Sequence, residues 1–254
     1  MNSILPFTTL CAIVRDEMMN PAGGIRRFVA SHVPFVEQAV IIDTGSKDGT
    51  REELDKLTRE YGNLRVYDEE FETFSDARNK SLEKVKTAWT LVLDADELLT
   101  QKNFKTVRET LKGNPKHLGY SFEFRNITPD GGNCEGVAHN PRLFSMALAP
   151  FYAKPDGKRG EELFSLMLST SGSRSFDDAV VNIEGAVKKL PASVIHFIPD
   201  FNDKLHKHNE FYNVREGVPL RYRQPSSLPN FNKWKALNPH REDYRWLKII
   251  LFLH

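Results

Sequence analysis

The chain has 254 residues, enough for one large α/β domain with a substantial core or for a domain plus an appendage. Lys+Arg 35 against Asp+Glu 34 leave a formal charge of +1, so nothing points to nucleic acid as the main partner and any ligand charge must be met locally. The two cysteines, Cys11 and Cys134, supply neither a disulfide framework nor a Cys/His metal spacing, and a reducing compartment fits them.

The N-terminal "MNSILPFTTLCAIVRDE" lacks a basic leader region and reads as a core strand, "TLCAIV" (9–14), and not as a signal peptide. "IRRFVASHV" (25–33) spaces Ile25, Phe28, Val29 and Val33 as a helix face. "AVIID" (39–43) is a second buried strand. "TREELDKLTREYG" (50–62) is a helix, with Thr50 and Glu53 as a capping box and Gly62 able to stop it. "LRVYD" (64–68) is a third strand. "SDARNKSLEKVKT" (75–87) is a helix with Ser75 as its cap. "WTLVLDAD" (89–96) is the fourth strand, and "QKNFKTVRETLKG" (101–113) a helix ending at Gly113.

The second half is less regular. "YSFEFRNI" (120–127), "RLFSM" (142–146) and "VIHFI" (194–198) read as strands, joined in part by the Gly-rich "TPDGGNCEGVAHNP". "KPDGKRGEE" (154–162) and "STSGSRS" (169–175) read as loops. Residues 200–217 read as a charged helix and 218–239 as a Pro- and Asn-rich loop, flap or linker. His206 and His208 are read as surface residues of that helix, and the basic "LRYRQ" (220–224) as a solvated loop. The apolar "YRWLKIILFLH" at the C-terminus is too short to span a bilayer. It is read as a buried helix, with an oligomer contact or an interfacial membrane foot as alternatives.

Alternating apolar strands and helices imply an α/β fold, a mainly parallel sheet with helices on both faces. In such sheets ligands sit beyond the carboxyl ends of the strands. Arg15–Glu17, Asp43 and Asp94–Asp96 each follow a strand, so they should converge on one crevice. Asp94 and Asp96 are close carboxylates that resist joint ionisation, and a divalent cation resolves that repulsion. The bland alternative makes them caps of the helix near residue 101. Asp43 in "IIDTGSKDGT" repeats the strand–acid–turn–helix arrangement, with an ordinary strand-to-helix turn as its alternative. Arg78 sits at a helix start, where it either reaches the crevice or is a surface charge.

The segments "CAIVRDE" (11–17), "VIIDTGSKDGT" (40–50) and "FSDARNKSLEKVKTAWTLVLDADE" (74–97), with "RLFS" (142–145) and "SVIHF" (193–197) more loosely, resemble a family 2 glycosyltransferase of the GT-A, Rossmann-like fold. The similarity is to the branch that includes lipopolysaccharide-core sugar transferases, and covers about residues 8–200. The resemblance implies a GT-A domain over 1–200, with a nucleotide-binding half (1–112) and an acceptor-side half (113–200), followed by a C-terminal helical extension (201–254). It implies that Ile13, Arg15 and Asp43 hold base and ribose, with Arg78 near the base and Asn79 supporting the pocket. Asp94 would face the ribose or metal, within a donor-binding turn Asp94-Ala95-Asp96. Asp96 would ligate Mn²⁺ or Mg²⁺, and His196 matches the late histidine that approaches the metal, a core histidine being the alternative.

The family's catalytic carboxylate comes in a "HE" pair some twenty residues before that histidine. This chain has "SFDDAVVNIEG" (175–185) there, so Asp178, ahead of Asp177, stands in as base; a solvated turn is the alternative. The implied reaction is inverting transfer of a sugar, with UDP the nucleotide the resemblance favours, to a hydroxyl of a glycan or glycolipid. The implied setting is cytoplasmic, with peripheral membrane contact if the acceptor is lipid-linked. A catalytically silent GT-A-like domain that binds a nucleotide or a partner is the competing class, supported by the altered "HE" region. No GxGxxG follows the first strand and no GK[ST] closes "GSKDGT", which argues against an NAD enzyme and a P-loop NTPase.

Overall fold

Strands whose side chains are apolar on both faces need cover on both, and the computed structural model provides it. It describes residues 5–20, 23–113, 115, 117–127, 138–148, 150–152, 166–168 and 187–197. Four parallel strands form one half of the sheet: β1 (Leu5–Val14), β2 (Val36–Asp43), β3 (Leu64–Asp68) and β4 (Trp89–Val92). Period-two alternation then sorts their side chains. Leu10, Ala12, Ala39, Ile41 and Leu91 enter one core with α1 (Gly24–His32), α2 (Thr50–Glu60) and α4 (Gln101–Lys112). Cys11, Val40, Ile42 and Val92 enter a second core with Leu82 of α3 (Phe74–Glu83). Fully burying each such aliphatic side chain contributes roughly 1.5–3 kcal/mol.

The other half is mixed. It comprises β5 (Glu97–Leu99), β6 (Gly119–Ile127), β7 (Ala138–Ser145) and β10 (Val187–Phe197), in the sheet order β3-β2-β1-β4-β7-β6-β10-β5. β7 runs antiparallel to β4 and β6, β10 parallel to β6, and β5 antiparallel to β10. A separate two-stranded sheet pairs β8 (Pro150–Tyr152) with β9 (Leu166–Leu168).

This order imposes curvature. β4 and β5 stand four places apart in the sheet, about 19 Å if it were flat. Only residues 93–96 join them, and part of that length is used by a turn in which Glu97 N donates to Asp94 O at 2.9 Å. The sheet must therefore curl until its far edge meets its centre. That curl brings the end of β10 against the 94–96 turn, where Phe197 N donates to Asp96 O at 2.9 Å.

Several local expectations are corrected. The fourth strand stops at Val92, and the acids lie in the turn after it. The capping box at Thr50 does not form: Gly49, at φ 97°, is the N-cap, and the Thr50 hydroxyl faces the β1 loop instead. α3 is capped by Thr73 and not Ser75; the Thr73 hydroxyl oxygen accepts from Asp76 N and its proton goes to the Asp76 carboxylate. Thr100 caps α4 by accepting from Asn103 N, so Asp94 and Asp96 are not its caps. The expected features at 154–162, 169–175 and 200–254 lie outside the described residues.

Candidate functional site

Three parallel strand ends make one rim. Val14 pairs with Asp43 and Cys11 with Val92, so β1, β2 and β4 finish side by side. Ile13, half-buried, packs on the second core one residue below the rim. Arg15 donates to Thr44 O at 3.0 Å. Asp43 is 2% exposed, and its Oδ1 accepts from Gly45 N at 2.8 Å and Ser46 N at 2.7 Å. Gly45, at φ 99°, gives the tight turn that aims those amides. The second carboxylate oxygen, Oδ2, is buried and has no hydrogen-bond partner. The loop after β1 is tied to this turn: Glu17 N and Met18 N donate to Thr50 Oγ1 at 2.7 and 3.0 Å, and Lys47 N donates to Asp16 Oδ1 at 2.7 Å.

Asp94 is gripped by two arginines. Arg78 Nη2 donates to Oδ1 at 2.6 Å and Arg142 Nη2 to Oδ2 at 3.3 Å. Burial alone would raise this carboxyl, but the two guanidinium charges more than reverse it and hold it well below the usual carboxylate range. Arg142 also forks onto Glu97, with Nε to Oε2 at 3.1 Å and Nη2 to Oε1 at 2.5 Å. Glu97 is 1% exposed. Its burial pushes the carboxyl up to about 7, with Arg142 pulling it down and Asp94 pushing it up. Glu97 Oε2 further accepts from Asp94 N at 3.1 Å, closing the turn on itself.

Asp96 faces the other way. Its Oδ2 lies 3.6 Å from His196 Nε2, and both side chains are partly open to solvent. His196 Nδ1 is 3.0 Å from Asn126 Oδ1, so that nitrogen carries the proton and Nε2 addresses Asp96. Burial lowers the His196 pKa, but the Asp96 carboxylate beside it, with Glu97 and Asp94, outweighs that and the net shift is upward.

Two residues with predicted roles are placed with less reach than the sequence suggests. Asn79 spends both ends of its amide on the Tyr152 backbone, donating to its O at 2.8 Å and accepting from its N at 2.7 Å, and so docks β8 on α3. The Ala95 side chain is 4% exposed within the first core. Asp177 and Asp178 lie outside the described residues.

Sequence reasoning missed Arg27 and Arg142 as parts of the site, and gave Glu97, the last acid of the 94–97 run, no role of its own. Arg27 of α1 is 2% exposed; its Nη1 donates to Glu97 O at 2.7 Å and its Nη2 to Ala95 O. Nothing in its spacing signals this, since Arg26 beside it is a surface residue paired with Glu53 and Glu60. The weak "RLFS" likeness was the only sequence sign pointing at Arg142.

Could this turn hold a divalent cation? Among the described residues no group of three or more His, Cys, Asp or Glu side chains is placed to hold a metal. Asp94 is committed to arginines, which leaves Asp96 and His196. One carboxylate and one imidazole fit Mn²⁺ when phosphate oxygens and water complete its shell, and suit Mg²⁺ less because of the nitrogen ligand.

The sequence model of Glycosyl transferase family 2 matches residues 24–132, a span that holds Arg27, Asp43, Arg78 and the whole 94–97 turn. A TPR repeat-containing protein of Synechococcus elongatus is 34% identical over 113 residues, 44% of this chain and 26% of that protein, so the chain spans about a quarter of this curated relative. Among solved structures, S. aureus TarS 1–349 superposes with a TM-score of 0.50 at 13% identity, covering 97% of this chain and 75% of that one. TarS has also been solved with UDP-GlcNAc, with a TM-score of 0.50 at 11% identity over 92% of this chain and 72% of that one. A mannosyltransferase from Pyrobaculum calidifontis, solved with GDP-Man and Mn²⁺, gives 0.50 at 14% identity, over 96% of this chain and 71% of that one. The fold is that of the GT-A glycosyltransferases. The match of residues 24–132 to the glycosyl transferase family 2 model agrees with that fold. Among the described residues no helix is long and apolar enough to cross a membrane.

Proposed function

We propose that this domain transfers a sugar from a nucleotide-sugar donor, a UDP-sugar in the first instance, to a hydroxyl of a glycan or glycolipid acceptor, with inversion at the anomeric carbon. The observation that carries the reading is the division of labour in the 94–97 turn. Asp94 is neutralised by Arg78 and Arg142, while Asp96 is left beside His196 at 3.6 Å and partly open. The structural relatives solved with UDP-GlcNAc and with GDP-Man and Mn²⁺ support a nucleotide-sugar donor.

Asp96 and His196 would hold a Mn²⁺ or Mg²⁺ ion, which supplies positive charge against the leaving diphosphate. Asp43 would accept from base or ribose through its unpartnered Oδ2, with Ile13 and Arg15 beside it on the rim. Arg78 fixes Asp94 and lies 5.7 Å from the Tyr152 ring, closing the α3 side of the site. The acceptor hydroxyl needs a base on the face opposite the leaving group, and Asp178 fills that role in this reading. In this reading the domain works in the cytoplasm, with peripheral membrane contact where the acceptor is lipid-linked.

Turnover of a panel of UDP-, GDP- and dTDP-sugars, followed by nucleotide release with glycan and glycolipid acceptors, tests the reading. Asp178→Asn should lose turnover by roughly 10²–10⁴-fold, the usual worth of a general base, and keep donor affinity. Wild-type turnover in that variant removes Asp178 as base. Binding of donor with no turnover across the panel favours a silent nucleotide-binding domain.

A further inference from the structure

We infer that Arg27 is a positioning residue for Asp96: from a helix outside the strand-end crevice, it clamps the backbone on both sides of the residue that faces the cation. The inference rests on the metal-binding reading of Asp96 for its functional consequence, and on geometry for the clamp itself.

Two acceptors of Arg27 are the carbonyls that flank Asp96. Nη1 takes Glu97 O at 2.7 Å and Nη2 takes Ala95 O. The same guanidinium lies 5.4 Å from the ring centroid of Phe197, the residue next to His196. Phe197 N in turn donates to Asp96 O at 2.9 Å. One side chain therefore touches both segments that carry the pair, the 94–97 turn and the end of β10. These two segments meet where β5 pairs with β10, Glu97 opposite His196, and residues 94–96 before Glu97 belong to neither β4 nor β5.

Stability alone is a poor reason for this arrangement. Taking a guanidinium out of water costs several kcal/mol, and an apolar side chain of similar length would often serve packing as well. A planar guanidinium does what an apolar chain cannot: it fixes two carbonyls in one plane with a rigid fork. Cation ligands must be held to within about 0.5 Å to work together, and Asp96 lies just before the β5–β10 ladder begins at Glu97 and His196, where Arg27 adds a second restraint on its two flanking carbonyls. Arg26 makes the contrast: adjacent and chemically identical, it is half-exposed and pairs with the carboxylates of Glu53 and Glu60 on α2.

Two measurements on the full chain test the clamp. The first is Mn²⁺ affinity in the presence of UDP, read from the free-ion paramagnetic resonance signal. The second is amide hydrogen exchange at Phe197 in metal-free protein, with Ile41 in the buried β2 strand as internal reference. Arg27→Met should weaken Mn²⁺ binding at least tenfold and speed exchange at Phe197 at least tenfold, with Ile41 unchanged. Arg27→Lys keeps the charge but loses the fork, and should fall between wild type and Arg27→Met on both measures. Wild-type exchange at Phe197 in a folded Arg27→Met protein overturns the inference. If Arg27→Met does not fold, Arg27→Lys decides: a wild-type value on both measures overturns the clamp, and a loss on either supports it. If the wild-type chain itself binds no Mn²⁺, the metal reading of Asp96 falls, and exchange at Phe197 then decides the clamp on its own.

Discussion

The two sides of the crevice are built from different materials. On the β1–β2 side, order comes from backbone amides and neutral hydroxyls: Asp43 takes Gly45 N and Ser46 N, and Thr50 Oγ1 takes Glu17 N and Met18 N. On the β4–β5 side it comes from buried guanidinium groups, with Arg78 and Arg142 on carboxylates and Arg27 on carbonyls. The first kind of lattice is short-range, since its partners sit in adjacent loops fixed by parallel pairing. The second ties together residues far apart in sequence, on α1, α3, β7 and the 94–97 turn, and long side chains make that reach. It should also be the more brittle of the two, because removing one partner strands a buried charge instead of a single neutral donor.

The largest effect should come from Arg142→Ala, which leaves Glu97 buried without its fork. A loss of about 3–5 kcal/mol is expected in urea unfolding at neutral pH. Adding Glu97→Leu to Arg142→Met should recover much of that loss, since it removes the unpartnered buried carboxyl as well. A single-variant cost under about 1 kcal/mol, the range of an exposed pair, would erase the contrast between the two sides. On the neutral side, Thr50→Val keeps the shape and removes the acceptor of Glu17 N. Its cost should be about 1–3 kcal/mol, that of an unsatisfied buried donor, and smaller than that of Arg142→Ala in the same assay.

The smallest effect is the pH dependence of the Asp96–His196 pair in metal-free protein. The folded His196 pKa is raised above its ordinary value of 6.5. The pair's contribution is therefore fully present below 6.5 and fades as pH rises through the folded value. The difference in urea midpoint between wild type and His196→Gln should be greatest near pH 5.5 and shrink by pH 8.5. A difference independent of pH would mean that Asp96 does not stabilise the protonated, charged imidazole of His196. Asp94 acts with the opposite sign. Its carboxyl is held low, so its contribution stands at all pH above the ordinary aspartate value of about 3.9 and is lost only in stronger acid.

The same division explains what could be read from sequence. Strand ends are local, and local pattern revealed them: apolar runs ending in Arg15, Asp43 and the 94–96 acids placed all three at strand ends, where the structure has them. Parallel β1–β4 with helices on both faces follows from strands that are apolar on both faces. Caps were misread by one or two positions because Thr50 and Ser75 satisfy the same residue preferences as Gly49 and Thr73. The charged side is set by topology. Arg27 and the carbonyls it holds are separated by 68 and 70 residues, and Arg142 and Glu97 by 45. Nothing in a one-dimensional pattern says that β5 pairs with β10 and bends the sheet round to meet β4. An arginine on an amphipathic helix reads as surface charge, which is right for Arg26 and wrong for Arg27.

The most direct measurement is calorimetric titration of UDP into the wild-type chain and into Asp96→Ala, each with Mn²⁺ and again after EDTA. UDP should bind the wild-type chain with Mn²⁺, lose at least tenfold in affinity with EDTA, and bind the folded Asp96→Ala variant weakly under both conditions. UDP affinity that is unchanged by EDTA and by the substitution would contradict the assignment of the 94–97 turn as the cation and diphosphate site.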